Sequence, residues 1–314
     1  MNLQQLKYAQ EVAKRDLNVS AAAAALHTSQ PGVSRQLREL EKELGAAIFV
    51  RQGKRLTSIT DAGREILERI DRILSEVGNL RGVGEEFGAG ARGQLSVAIT
   101  HTQARYALPP VITEFKKRFP QVKLKLLQGN PNQLAKHVLA GEADLAIATE
   151  ALTDYPELVT LPCYQWHHCV VVPEGHPLAG LKRLTLEAIA EHPIVTYDPM
   201  FAGRTSVDRS FAARGLSPEI VLTALDSDVI KSYVSLGLGV GIISSRAFRE
   251  GKDEGLVALD CGHLFAAQTT RLAYKRGAYL RSFTVEFIRM FVPRLRREDL
   301  EGLENRGADP FEGL

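Results

Sequence analysis

Five consecutive alanines, Ala21 to Ala25, stand between Asn18-Val19-Ser20 and Leu26 near the start of the chain. Side chains this small let a second helix approach closely, so the run points to tightly packed short helices. Ser20 is a good N-cap for a helix from Ala21 to Leu26. Ahead of it, Leu3, Leu6, Ala9, Val12 and Ala13 recur at helical spacing and predict a first amphipathic helix. Behind it, His27-Thr28-Ser29 makes a turn. Ser29 can cap a third helix, with Pro31 in the first turn, where a missing N–H costs nothing. That helix is expected from about Gln30 to Leu44, stopped at Gly45.

Val33, Leu37, Leu40 and Leu44 form the expected buried stripe of the third helix, while Gln30, Ser34, Arg35 and Arg38 lie on its other faces. A helix that presents its N-terminal half to base edges, flanked by arginines, is suited to the major groove. Next, 47–51 and 54–57 flank Gln52-Gly53 and read as a short β-hairpin, with Arg51, Lys54 and Arg55 near its tip, suited to phosphate or minor-groove contact. Any one of these basic residues could be ordinary solvated surface. Two short helices, a polar turn, a basic helix and a basic hairpin in that order are harder to explain away, and together they predict a winged helix-turn-helix over residues 1–59. Charge agrees: residues 1–60 hold nine Lys/Arg against five Asp/Glu, a net +4 in a chain whose total is +2.

Thr60 caps a new helix, with Asp61 in its first turn. Ile66, Ile70, Ile73, Val77 and Leu80 then alternate by four and three, the seam of a coiled coil. A lone helix cannot bury this seam. It is expected to pair with its copy in a second chain, the alternative being docking on the chain's own large domain. The linker helix is placed at 60–87, and Phe87 to Arg92, with glycines at 84, 88 and 90, is read as a hinge.

From Gly93 the pattern changes to strands alternating with helices: strands at 95–99, 122–127, 143–148, 170–172, 194–197 and 240–243, helices at 106–119 and 133–140. The expected fold class is thus α/β, with a largely parallel sheet, in an effector domain over 88–300. It is divided into one subdomain of about 93–162 plus 268–295 and a second of about 163–267. Crossovers near Pro162 and Gln268 would join them, an arrangement that resembles the periplasmic binding proteins. The tail 301–314 is read as flexible. In such folds ligands sit beyond the carboxyl ends of strands, at the N-termini of the following helices. Thr100, Thr102 and Gln103, then Thr149-Glu150, then Ala202-Gly203-Arg204-Thr205 occupy such ends. Taken singly they are ordinary caps; three ends facing one cleft predict a pocket for an anion or a carboxylate.

Several classes are set aside. Gly237-Leu238-Gly239-Val240-Gly241 has the look of a dinucleotide loop but follows a helix and precedes a strand, the reverse of the fingerprint. There is no GxSxG elbow and no P-loop, so no catalytic residue is assigned. Cys163, His167, His168 and Cys169 form the only metal-like group; alternation along a strand sends the two histidines to opposite faces, so no metal is expected. Three cysteines without a CxxC pair suit a reducing compartment. An N-terminus without the order of a signal peptide, and apolar runs too short to span a bilayer, predict a cytoplasmic protein. The winged head and missing export signal argue against a free-standing solute-binding protein.

The stretch AALHTSQPGVSRQLRELEKELG, followed by AIFVRQGKRLTSITDAGREIL, resembles the N-terminal signature of the LysR-type transcriptional regulators. That resemblance implies that Thr28, Ser29, Gln30, Pro31, Ser34, Arg35 and Arg38 read DNA, that Arg51, Lys54 and Arg55 form the wing, and that the linker helix makes a dimer. THTQARYALP, GEADLAIATEAL, LPCYQWHHCVVVP, AGRTSVD and LDSDVIKSYVSLGLGVGII extend it, to about residue 295, to the CysB/Cbl subgroup. Its members control sulfur-assimilation and cysteine-biosynthesis genes and respond to sulfate-like anions, thiosulfate among them, and to O- or N-acetylserine. By that resemblance Thr100, Thr102, Gln103, Glu150 and Trp166 line the effector pocket, with Ala202 and Gly203 in its third loop. The subgroup has Thr where this chain has Ala202, a lost donor of on the order of 1 kcal/mol unless the Gly203 amide or Thr205 replaces it. A changed small-anion or carboxylate effector in another pathway is therefore the alternative. The implied partners are promoter DNA, RNA polymerase and further copies in a homodimer or homotetramer; no cofactor beyond the effector is expected.

Overall fold

Helix caps frame the N-terminal part of the chain. Asn2 opens α1 (Leu3–Lys14) with a reciprocal capping box to Gln5. Asn18 opens α2 (Val19–Ala25), its side chain accepting from the Ala21 amide at 3.0 Å. The alanine helix therefore starts earlier than the Ser20 cap expected: Asn and Ser cap comparably well, and the earlier cap adds helix. Ser29 caps α3 (Gln30–Leu44), accepting from the Gly32 amide, and Gly45 stops it in the left-handed conformation at φ +67°. Val33, Leu37 and Leu40 are buried against Leu6, Ala9, Val12 and the small faces of Ala22 and Ala23. Leu44 does not complete the stripe and is 38% exposed. The buried position on the last turn is Glu41 instead.

A computed structural model describes residues 1–53, 55–89, 92–292 and 295, with the backbone alone at Glu85, Gly88, Ala89, Glu150 and Ala202. Lys54 and the tail 301–314 lie outside the described residues. The chain divides into two units, Met1–Phe87 and Gly88–Leu314. The first is completed by β1 (Phe49–Gln52), antiparallel to β2 (Arg55–Ile59), and by α4 (Asp61–Ala89). Helix α4 runs through Gly78 and Gly84 and past Phe87, where a hinge was expected, because an interior glycine weakens a helix by only about 1 kcal/mol. Its seam is also divided. Ile70 is buried and Ile66 half-buried, both against the core of the chain's own winged helix, which corrects their reading as partner contacts. Ile73 and Leu80 remain exposed and Val77 half-buried.

The second unit contains β3 (Gly93–Ile99), α5 (Leu108–Arg118), β4 (Val122–Gln128), α6 (Pro131–Leu139), β5 (Leu145–Ala148) and β6 (Leu158–Trp166). After these come β7 (His168–Pro173), α7 (Leu186–Ala190), β8 (Ile194–Tyr197), α8 (Ala202–Ala212), β9 (Ile220–Ala224) and α9 (Ser227–Ser235). The series closes with β10 (Val240–Ser244), β11 (Leu256–Asp260), β12 (Gln268–Lys275) and α10 (Ser282–Phe291). Two five-stranded sheets result, ordered β4-β3-β5-β12-β6 and β11-β7-β10-β8-β9. In each, two pairings are parallel and two antiparallel, because one strand, β12 in the first sheet and β7 in the second, runs against the other four; the sheets are mixed rather than purely parallel. Alternation assigns the faces. In the first sheet Leu95, Val97 and Ile99 bury against α5 and α10, while Ala98, Ala146 and Ala148 leave room for α6. In the second, Val170, Val172 and Ile242 face α8, and Val171, Val195 and Ile243 face α9.

The antiparallel strands carry the chain between the two lobes. Pro162 lies inside edge strand β6, opposite Arg271 and beside a bulge that leaves Cys163 without a cross-strand partner in the register. An edge strand at a bulge tolerates the missing N–H. The first crossover is thus at His167, between β6 and β7, and not near Pro162. The chain returns between Asp260 and Gln268. No helix among the described residues is long and apolar enough to cross a membrane.

Candidate functional site

The parallel strands of both lobes end at one cleft. Thr100 follows β3, Thr149 follows β5, Phe201 and Gly203 follow β8, Leu225 follows β9, and Trp166 and Ser244 end β6 and β10. These residues, with Thr102, Gln103 and Tyr197, line a cavity whose empty volume, part of it open to solvent, is about 420 Å³. Thr100, Thr102, Gln103, Trp166 and Gly203, the residues expected from the sequence, are therefore brought together. The side chains of Glu150 and Ala202 lie outside the described residues. Thr149, Tyr197, Phe201, Leu225 and Ser244 are additions. The strand-end rule reaches Thr149 and Leu225, one residue past a strand, but nothing in the sequence singles out Tyr197 inside an apolar strand. Arg204 turns away: its Nη1 donates to the Tyr197 carbonyl at 3.0 Å and its Nε pairs with Asp208 at 2.7 Å.

Polar groups of the cavity wall are mostly committed to one another. Tyr164 donates to Gln103 Oε1, and Gln103 Nε2 donates to Thr270 Oγ1 at 3.1 Å, so the amide is held at both ends. Across the cleft, Thr102 Oγ1 lies 3.5 Å from Ser227 Oγ, which is 2.6 Å from the Tyr197 hydroxyl, itself accepting from the Ser244 amide at 3.0 Å. Burial pushes the Tyr197 phenol up to about 12, so it is neutral. Two donors stand apart: Thr149 Oγ1 and Trp166 Nε1 are buried with no hydrogen-bond partner among the described residues. An unmade buried hydrogen bond costs about 1–3 kcal/mol, which makes these two groups the natural receivers of a ligand acceptor.

Behind Trp166 stands His168, ring centroids 5.1 Å apart, and behind that Phe265 at 5.5 Å. Burial, helped by neighbouring His167, lowers the His168 imidazole to about 4, so this wall is neutral too. Gly203 closes against both rings: a Cβ there would lie 3.2 Å from Trp166 Cη2 and from His168 Nε2. The residue sits in the first turn of α8, an eleven-residue helix. No lysine, arginine, aspartate or glutamate is among the described lining residues. The donors that such a cleft can offer a ligand are therefore neutral groups and the helix terminus. Beside the cavity, Tyr106 of the first lobe donates to Asp228 of the second at 2.6 Å and accepts from Lys231 at 3.1 Å, a polar contact that bridges the two lobes.

In the first unit Ser29, Gln30, Pro31, Arg35 and Arg38 are exposed on α3, and Thr28 and Ser34 are half-buried. Gln30 donates to Ser34 Oγ at 3.1 Å, and Arg35 lies 3.6 Å from Glu39 one turn on, an exposed pair that a phosphate displaces at little cost. Arg55 is exposed on the wing. Arg51 is not free in this way, since Nη1 lies 2.6 Å from buried Glu41. A winged head with a basic helix, and two α/β lobes that line a neutral-walled cleft, define a ligand-binding DNA-binding transcriptional regulator.

Residues 3–64 match the model of the bacterial regulatory helix-turn-helix protein, lysR family, and residues 88–296 that of the LysR substrate binding domain. The chain is 52% identical over 312 residues to the HTH-type transcriptional regulator CysB of Burkholderia cenocepacia, covering 99% of this chain and 100% of that one. It is 46% identical over 301 residues to the HTH-type transcriptional regulator cbl of Escherichia coli, covering 96% and 95%. The crystal structure of the cofactor-binding domain of the Cbl transcriptional regulator superposes with a TM-score of 0.65 at 45% identity, covering 68% of this chain and 93% of that one. The protein belongs to the LysR family of transcriptional regulators.

Proposed function

We propose that the protein is a cytoplasmic sulfur-status sensor, which binds promoters of sulfur-assimilation and cysteine-biosynthesis genes and answers to an effector held in the cleft. Kinship with CysB and Cbl supports the choice of genes. The observation that carries the effector reading is the pair of buried donors, Thr149 Oγ1 and Trp166 Nε1, unpartnered among the described residues in a cavity whose described wall groups are neutral. Sulfate or thiosulfate fits that chemistry, accepting hydrogen bonds on every side and needing no proton. O- or N-acetylserine would use the same donors for its carboxylate. Glu150 and Ala202 belong to the loops that close the site in this reading.

An effector that favours the closed lobes shifts the protein toward the state that closure supports, and with it the spacing of paired DNA-reading heads. The working form is a homodimer or homotetramer, joined in part by exposed Ile73 and Leu80 and half-buried Val77 of α4, whose apolar side chains support pairing with a second copy. RNA polymerase is the partner on the promoter. Calorimetric titration of the full-length protein with sulfate, thiosulfate, O-acetylserine and N-acetylserine tests the reading. Binding of one of them, abolished by Thr102→Ala, is the expected result. Silence from all four would assign the pocket to another small anion or carboxylate, the outcome that Ala202 favours.

A further inference from the structure

Glu41 lies on the last turn of α3, 9% exposed in a cluster otherwise apolar. Each of its oxygens is used. Oε1 accepts from the amides of Ile48 at 2.9 Å and Phe49 at 3.1 Å, where the wing begins. Oε2 receives the Arg51 guanidinium at 2.6 Å, from the same wing strand. A carboxylate taking three donors from one hairpin fixes that hairpin more firmly than apolar packing can, because charge-assisted bonds are short and directional. We propose that Glu41 is a positioning residue for DNA reading, which sets the angle of the wing to the recognition helix, and that Arg51 is the clamp on that carboxylate and not a phosphate contact.

The surroundings extend the joint. The Ile48 carbonyl accepts from the Thr60 amide at 3.0 Å, and the Thr60 hydroxyl donates to the Ala47 carbonyl at 2.6 Å while accepting from the Gly63 amide at 2.8 Å. Gly63 passes so close to Ile48 that a Cβ would stand 2.1 Å from its carbonyl oxygen, which no side chain tolerates. The end of α3, the start of β1 and the start of α4 therefore meet at one polar knot centred on Ile48. For Arg51 to reach a phosphate it must leave Glu41, stranding a buried carboxylate without its cation, an unfavourable exchange for a single exposed phosphate. Arg55, exposed on the facing strand, makes no ion pair among the described residues.

The test compares Arg51→Ala, Arg55→Ala, Glu41→Gln and the double variant Glu41→Gln/Arg51→Ala in the full-length protein. The probes are a duplex recovered by in vitro selection with the unmodified protein and a scrambled duplex of the same composition, each titrated over a range of salt. Glu41→Gln keeps an acceptor for both amides and removes only the ion pair. Arg51→Ala and Glu41→Gln are expected to weaken the selected duplex about tenfold, leave the scrambled one unchanged, and leave the slope of log K against log salt unchanged. Arg55→Ala should lower that slope by about 0.9 for each phosphate it no longer neutralises. The double variant, with neither charge left buried, should weaken binding no more than either single change and keeps the comparison measurable if a single variant folds poorly. A drop in slope for Arg51→Ala equal to that for Arg55→Ala, or effects that multiply in the double variant, would overturn the assignment.

Discussion

Thr149→Val should raise the stability of the unliganded protein and lower its affinity for the effector, opposite signs from one atom. The Thr149 hydroxyl is buried on the cavity wall and unpartnered among the described residues. Its backbone is extended, at φ −100° and ψ −164°, so a β-branched replacement fits without strain. Valine exchanges the hydroxyl for a methyl of similar size and removes a donor whose desolvation is uncompensated at about 1–3 kcal/mol. In a unit of roughly 200 residues each kcal/mol moves the melting temperature by about 2–4 °C, so a rise of at least that size is expected by scanning calorimetry. With an anion bound, the same hydroxyl makes a hydrogen bond to charge worth about 1.5–3 kcal/mol, so Kd should rise about 10- to 150-fold by titration calorimetry. A melting temperature that falls, with affinity unchanged, would refute the reasoning, because it would mean that the hydroxyl is already satisfied and meets no ligand.

Gly203→Ala places its methyl 3.2 Å from two ring atoms, Trp166 Cη2 and His168 Nε2; crowding of about 1–3 kcal/mol should turn the indole and weaken the effector about tenfold by calorimetry, with the circular dichroism spectrum intact. His168 gives a pH dependence. Its folded imidazole titrates at about 4 against 6.5 unfolded, so stability is full above about pH 6.5 and is lost as pH falls, by about 3 kcal/mol at pH 4, because only the unfolded chain takes the proton. His168→Phe should flatten the melting temperature over that window, and parallel curves for variant and parent would count against the assignment. On α4, Ile70→Glu should unfold the winged head, since Ile70 is 2% exposed, whereas Leu80→Glu, at 70%, should leave the head folded and separate the copies; sedimentation velocity and thermal melting of the two variants distinguish these effects.

What could be read ahead of the structure follows the strength of local rules. Helix α3 was legible to the residue because Ser29, Pro31 and Gly45 each obey a steric or hydrogen-bonding constraint that acts within one turn. Strands such as Ile194–Tyr197 were legible as short apolar runs buried on both faces. Strands β6, β11 and β12 were not, since polar residues such as Gln165, Asp260, Gln268, Thr270 and Arg271 interrupt their apolar positions, and Pro162 in β6 has the look of a break until the bulge beside it is seen. In the pocket, the first-lobe residues Thr100, Thr102 and Gln103 followed from the strand-end rule. Tyr197 and Ser244 depend on which faces of two lobes meet, a long-range fact absent from any local pattern. The 4-3-4-3 spacing on α4 states that a seam must be covered and is silent on what covers it, which is why Ile66 and Ile70 were assigned to a partner when they belong to the winged core.

Only His167 separates the first sheet from the second on the outgoing strand, and its carbonyl is held by the Ser245 amide at 2.9 Å. Trp166, one residue before it, carries an unpartnered donor on the cavity wall; His168, one residue after it, backs the same indole. In the proposed reading the ligand would therefore pull beside the fulcrum and not at the end of the arm. A rotation of a few degrees started there sweeps the outer rim of each lobe through a much larger arc, so a solute of a few atoms can drive a displacement on the scale of a protein interface. The same leverage works in reverse. In that reading, strain applied at the rims would be concentrated on the indole, and the grip on the solute would loosen or tighten with the load.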